Sequence, residues 1–356
     1  MAAAYNPTAF DLTTEEGVEA YLSNTPYACT RAETLSGGGG NYAFRIHLRQ
    51  PYEGVNTLVL KHSRPYIKSM TSLAFDIRRQ FFEVEALRRV REWSPATAFV
   101  TVPSVYHYDD VEHAVIMTET AHRIGKEVGD FLGKLHAWGR SNKDVSEFFD
   151  ANRQAKIMSS WVFYGRLIPT FDDGLEKLQE PDVKLSKAER SALEKIAEES
   201  GDAVKKATGT FVMGDFWPGN LVLSFDEVGN VTRVSILDWE LCKPGIFGVE
   251  LGQFCAELVL LMRFNTDICG QTAKSLLEDF LKAYAGQITP DLEMCRRAIV
   301  HLGTHLVTLT PRIEWGGKEK TQEVVKEGLG LVLEGYSAGK EWLEKSVIGP
   351  LVMSVT

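Results

Sequence analysis

Two short clusters of oxygen-bearing side chains carry the chemistry this sequence can do. Asp215 and Asn220 stand five residues apart in Gly214-Asp215-Phe216-Trp217-Pro218-Gly219-Asn220. Asp238 and Glu240 follow in Ile236-Leu237-Asp238-Trp239-Glu240. A carboxylate on a short loop can take the proton of a hydroxyl, and nearby amide and carboxylate oxygens can hold a hard cation. Phosphoryl transfer from a nucleotide needs both, fixed on loops between strands. The five-residue step is that of a kinase catalytic loop. Asp215 therefore reads as the base, and Asn220 and Asp238 as ligands of magnesium. Glu240 reads as a further metal-side group, acting directly or through a water. Either cluster alone would be an ordinary capped turn; their order and their flanking strands carry the reading.

The elements that must position these groups follow from periodicity. Strands are expected over 42–48 and 57–61, joined by a turn at 51–54 and preceded by the glycine run Ser36-Gly37-Gly38-Gly39-Gly40-Asn41. A helix is expected over 74–92, with Phe75, Ile77, Phe81, Phe82, Leu87 and Val90 on one apolar face. Strands follow at 100–103 and 114–117. Beyond Glu119 the pattern turns helical, beginning with Ile124, Val128, Phe131, Leu132 and Leu135. A charged helix covers 186–207. Short strands at 210–213, 221–223 and 234–237 carry the two clusters, and helices fill most of 249–343. The expectation is an α+β chain with a small β-rich lobe over 1–119 and a larger helical lobe over 120–356.

Composition narrows the function classes. The 356 residues carry 44% apolar and 24% charged side chains, the balance of a globular protein. Residues 1–119 hold 11 basic and 14 acidic side chains, and the remainder 28 and 34, for a total of −9. With no polybasic block, neither a nucleic-acid nor a membrane partner is expected. The acidic second lobe suits a cationic small substrate. No secretory leader or spanning segment is read, so the cytoplasm is the expected compartment. Five cysteines without a CxxC pair read as reduced thiols rather than a zinc site. A monomer is expected.

Met213-Gly214-Asp215-Phe216-Trp217-Pro218-Gly219-Asn220 and Ile236-Leu237-Asp238-Trp239-Glu240-Leu241-Cys242-Lys243 resemble the motifs of the aminoglycoside phosphotransferase and choline kinase superfamily. More narrowly, they resemble its fungal, methylthioribose-kinase-like branch. The resemblance extends through 9–17, 35–38 and 60–62, and so over most of the chain. It implies a bilobal protein-kinase-like fold and ATP as donor. It also implies roles for further residues. Lys61 would hold the α- and β-phosphates, with Glu83, or alternatively Glu85, as its ion-pair partner. Ser36 to Asn41 would cover the phosphates with backbone N–H groups. Met117, Thr118 and Glu119 would form the connector that meets adenine. The chain departs from the family in two places. Met213 stands where His is frequent, and Thr120-Ala121-His122 is a short passage from connector to helix.

The expected activity is ATP-dependent phosphorylation of a hydroxyl on a small molecule. A hydroxylated indole-ethylamine such as 4-hydroxytryptamine is favoured; methylthioribose or another amino alcohol is the alternative. Phe216 and Trp217 could stack on a flat ring, and Trp315 is a further aromatic candidate. Arg312 resembles the arginine region that meets sugar hydroxyls in methylthioribose kinases. The rival of another class is a catalytically silent nucleotide-binding regulatory protein. A protein kinase is not supported, since no A-P-E segment follows Asp238.

Overall fold

The computed structural model describes residues 10–35, 40–94, 98–118, 125–225 and 231–354. The chain divides into two compact units, Met1–His122 with Val222–Glu240, and Arg123–Leu221 with Leu241–Thr356. The first crossing lies close to the expected lobe boundary. The return of Val222–Glu240 to the first unit differs from the expected division, which placed everything beyond 119 in the second. The cause is strand pairing: β11 (Val231–Ile236) lies between β10 (Leu221–Phe225) and β6 (Val100–Thr101). It runs parallel to β6, with Val234 opposite Val100 and Ser235 opposite Thr101.

The first unit is built on a sheet in the order β1-β2-β3-β8-β7. The strands are β1 (Cys29–Thr34), β2 (Tyr42–Tyr52), β3 (Val55–His62), β7 (Val105–Asp109) and β8 (Ala114–Thr118). Alternation sends Phe44, Ile46, Leu58 and Leu60 to one face, where they meet Val18 and Leu22 of α1 (Glu15–Leu22). The same alternation turns Lys61 to the opposite face. A small hairpin, β4 (Tyr66–Ile67) and β5 (Met70–Ala74), lies where no strand was expected.

The helix expected from 74 starts only at Arg79 and runs to Trp93 as α2. Asp76 closes a turn ahead of it, accepting from the Arg78 backbone N–H at 2.9 Å. The buried side takes residues 79, 80, 82, 83, 84, 86, 87 and 90, a broad helical face. Phe81, expected in the core, lies off that face and is 41% exposed. Arg79, Gln80 and Glu83 are buried in place of an all-apolar stripe, which marks the face as polar by design of the site rather than by periodicity.

The second unit is helical, with α3 (Lys126–Ser141), α4 (Lys143–Asp150), α5 (Arg153–Ser160), α6 (Pro169–Asp172) and α7 (Lys187–Lys206) leading to β9 (Thr210–Val212). Beyond β12 (Lys243–Gly245) come α8 (Phe247–Phe264), α9 (Gln271–Ala285), α10 (Leu292–Leu309) and α11 (Lys318–Gly335). Helix α10 packs between α8 and α11. Gly303 and Gly328 let α10 and α11 approach so closely that a Cβ at either would sit 2.6–2.7 Å from the other's carbonyl oxygen. His136, His301 and His305 are core histidines with partners: Tyr284 and Glu250, Tyr164, and Glu257 respectively. Among the described residues no helix is long and apolar enough to cross a membrane.

His62, at the end of β3, is buried, and its Nδ1–H donates to the Glu112 carbonyl at 2.9 Å. Its Nε2 has no partner among the described residues. Burial, helped by the nearby Arg64 charge, pushes its pKa down to about 4. The folded chain thus binds the proton later than the unfolded chain. The stability His62 contributes is complete above its ordinary pKa of 6.5 and is lost as pH falls toward 4, by up to ~3 kcal/mol. Urea unfolding between pH 7 and 4 should show this slope. His62→Asn, whose amide can keep the bond to Glu112, should flatten it; an unchanged slope would exclude His62 as its source.

Candidate active site

In the first unit, Lys61 is the centre of charge. It is 6% exposed, and its Nζ donates to Glu83 Oε1 at 2.8 Å and to Asp238 Oδ1. Burial alone would lower its pKa, but the carboxylates of Asp238, Glu83 and Glu240 outweigh burial and hold it above the ordinary lysine value. Of the two glutamates open as partners of Lys61, the structure brings Glu83. Glu85 faces outward to Arg88 and Arg89. Asp238 follows β11 with φ of 64°, in the left-handed region that Asp tolerates better than most residues. This turn leaves Oδ2 without a donor among the described residues.

Glu240 does not lie open for a metal. Its Oε2 accepts from Arg79 Nε at 3.1 Å and from Asn41 Nδ2. Arg79 is 1% exposed and also donates to Asn41 Oδ1 at 2.7 Å, which Ser63 Oγ meets at 2.9 Å. The physical reason is charge: a buried guanidinium needs a carboxylate, and Glu240 is that carboxylate. Glu240 Oε2 is thus engaged by Arg79 and Asn41, and the Asn41 side chain belongs to the same network. Ser36, Gly37, Gly38, Gly39 and Glu119 lie outside the described residues; Gly40 lies against Glu240. Met117 and Thr118 are still in β8, opposite Val59 and Leu58 of β3, so the strand continues into the expected connector.

In the second unit, β9 pairs antiparallel with β12, Val212 opposite Lys243. The chain then turns at Gly214, whose φ is 86°. A Cβ there would lie 2.2 Å from the Leu241 carbonyl oxygen and 2.3 Å from Lys243 Nζ, so the turn requires glycine. Asp215 follows. Its Oδ1 accepts from Gln253 Nε2 at 2.6 Å and its Oδ2 from Asn220 Nδ2 at 3.2 Å. Asn220 Nδ2 also donates to the Asp215 carbonyl at 2.9 Å, which closes the loop on itself. Its Oδ1 is left as an oxygen donor for a hard cation. Glu250 accepts from the Gly214 and Met213 N–H groups at 2.6 and 3.2 Å and from His136 Nε2 at 2.9 Å.

Phe216 is fully buried with its ring 5.3 Å from that of Phe254, so its expected role on a substrate ring is corrected to a core contact. Trp217 remains half-buried, its indole lying over Gly219. Arg312 donates to Thr170 Oγ1 and the Thr308 carbonyl, both at 2.7 Å, and to Asp173 at 3.3 Å. Trp315 stacks on Phe264 at 5.9 Å. Glu250, Gln253 and Lys243 were missed as site residues. The signal was present: in the apolar run of α8, Glu250, Gln253 and Glu257 recur at 250, 253 and 257, on one helical face.

With a buried lysine–glutamate pair in one unit and a hydrogen-bonded Asp–Asn loop in the other, the chain has the parts of a phosphoryl-transfer enzyme. Residues 32–296 match the phosphotransferase enzyme family (APH), and the chain belongs to that family. It is similar to the 4-hydroxytryptamine kinase of Psilocybe cyanescens, 31% identical over 90% of this chain and 92% of that one. The 4-hydroxytryptamine kinase of Psilocybe cubensis is 29% identical over the same shares. The methylthioribose kinase of Geobacillus sp. (strain WCH70) is 24% identical over 72% of this chain and 67% of its own. The protein is a small-molecule kinase that phosphorylates a hydroxyl, with an α+β fold.

If Glu240 is the counter-charge of Arg79, then Arg79→Leu strands a buried carboxylate. It should cost about 3–5 kcal/mol of stability by chemical denaturation. A loss below ~1 kcal/mol would show that Glu240 is not held by Arg79.

Proposed function

We propose that the protein transfers the γ-phosphoryl group of ATP, with magnesium, to the hydroxyl of a small cationic acceptor of the 4-hydroxytryptamine type. The observation that carries the chemistry is Asp215, a carboxylate fixed by Gln253 and Asn220 on a loop that glycine alone can turn. In this reading the acceptor oxygen forms its bond to the γ-phosphorus as the bond to the β-phosphate oxygen breaks. ADP departs and the hydroxyl proton passes to Asp215. Lys61, kept charged by its carboxylate neighbours and oriented by Glu83, would hold the α- and β-phosphates. The Ser36 to Asn41 backbone would cover them, and the Met117 to Glu119 segment would meet adenine.

Magnesium fits the donor set, because Asn220 Oδ1 and Asp238 Oδ2 are hard oxygens left over from the hydrogen bonds of their side chains. A bound magnesium ion would neutralise phosphate charge. The acceptor class is supported by the two Psilocybe relatives, which match along nine-tenths of the chain, and by the half-buried Trp217 two residues from Asp215. Methylthioribose is less well supported, since Arg312 already satisfies Thr170, Thr308 and Asp173.

Coupled ADP release over 4-hydroxytryptamine, methylthioribose, choline and aminoglycosides tests the acceptor. kcat/KM should be highest for 4-hydroxytryptamine and little changed by Arg312→Ala. A preference for methylthioribose that Arg312→Ala abolishes would reverse the acceptor and keep the kinase. ATP binding without turnover on any acceptor would favour the silent regulatory protein.

Asp215→Asn should lower kcat about 10²–10⁴-fold while leaving ATP binding near wild type. Turnover close to wild type would remove Asp215 from the reaction. Asp238→Ala should raise the magnesium concentration needed for half-maximal rate, whereas Glu240→Gln should leave it unchanged. The reverse pattern would restore Glu240 as the ligand.

A further inference from the structure

Lys243 ends the motif that begins at Ile236, and the kinase chemistry above leaves it without a role. It is 3% exposed. Its position is set by the β9–β12 register, which places it opposite Val212, three residues before Asp215. Its Nζ donates to the Leu241 carbonyl at 3.0 Å. The same ammonium occupies the space a side chain on residue 214 would need, as the 2.3 Å approach of its Nζ to a Cβ built there shows.

The turn into Asp215 is therefore held from two sides. Glu250 takes the backbone N–H groups of Met213 and Gly214, and Lys243 lies against the bare α-carbon of Gly214. The titratable groups around the ammonium are Glu250, Cys242 and Asp215, with Lys156 opposing them. A cavity of about 20 Å³ beside Lys243 is lined by Phe163, Val204, Val212 and Val249, with Glu250 and Gln253 on its polar side. An ammonium is poorly placed for stability here: burial pushes its pKa down to about 8. A methionine would fill the same volume without desolvating a charge. What the ammonium adds is a fixed positive charge beneath the loop whose carboxylate must be aimed.

We infer that Lys243 is a positioning residue for phosphoryl transfer, its buried ammonium and Glu250 together holding the Met213–Asp215 turn in the geometry that presents Asp215. The inference rests on Asp215 acting as the base proposed above. It differs from a purely structural role in its sign on stability: the charge costs stability and contributes order to one turn.

The test is Lys243→Met in the full chain, with two readouts. Hydrogen exchange should rise about tenfold or more at the Met213 and Gly214 amides and stay unchanged along Leu292–Leu309, while Tm holds or increases. With the best acceptor of the ADP-release screen, kcat should fall at least tenfold and the KM for ATP should stay within about twofold. Wild-type protection of the two amides overturns the inference, whether or not an acceptor has been found. So does a kcat within twofold of wild type. A wild-type chain inactive on every acceptor defeats the kinase reading, and the exchange result still decides the role of Lys243 in the turn. Should Lys243→Met not fold, Lys243→Gln, which keeps one donor for Leu241 without the charge, carries the same measurements. Loss of fold in both variants makes Lys243 structural and overturns the inference.

Discussion

Glu250 is the contact on which the second unit's chemistry depends. One carboxylate, 3% exposed, receives two backbone N–H groups from the turn before Asp215 and the imidazole of His136 from α3. A buried carboxylate without such donors would cost several kcal/mol. The requirement works in both directions. The turn needs an acceptor because its backbone has left the β9–β12 ladder, and Glu250 needs donors because α8 carries it inside. His136 is in turn fixed by Tyr284 of α9 through its other nitrogen. Three helices thereby define where Asp215 begins.

The first unit solves a similar problem with two cations. Lys61 serves Glu83 and Asp238, and Arg79 serves Glu240 and Asn41. The two pairs share a backbone logic: Lys61 comes from the face of β3 opposite the apolar core, while Arg79 and Glu83 lie one helical turn apart on α2. Asp238 and Glu240, two residues apart, go to different cations: Asp238 sits in the left-handed region, and Glu240 in the short helical turn Trp239–Leu241 that follows. Spacing alone gives both the same direction. The folded backbone gives one to Lys61 and the other to Arg79.

A charged group that is buried must be matched, and the matching group is often remote in sequence. Lys61 and Asp238 are 177 residues apart, Arg79 and Glu240 are 161, and Asp215 and Gln253 are 38. Helix α8 illustrates the consequence. Its sequence is apolar enough to read as core, and its three buried polar residues look like interruptions. They are the residues that hold the Asp215 turn and His305 in place.

The local parts of this protein were written in its sequence. Strand alternation gave β2, β3 and β8, helical spacing gave α3 and α7, and the Asp215–Asn220 step marked a hydrogen-bonded loop, because each depends on neighbours within a few residues. The start of α2, the exposure of Phe81 and the burial of Phe216 were decided by which face the rest of the fold left open. The pairing of β11 with β6 moved Asp238 and Glu240 into the first unit, since a two-residue strand such as β6 shows its partner only when the sheet is assembled. Periodicity reads one element at a time, whereas the partners of Lys61, Arg79, Asp215 and the Gly214 turn are set by desolvated charges that meet only in the folded chain.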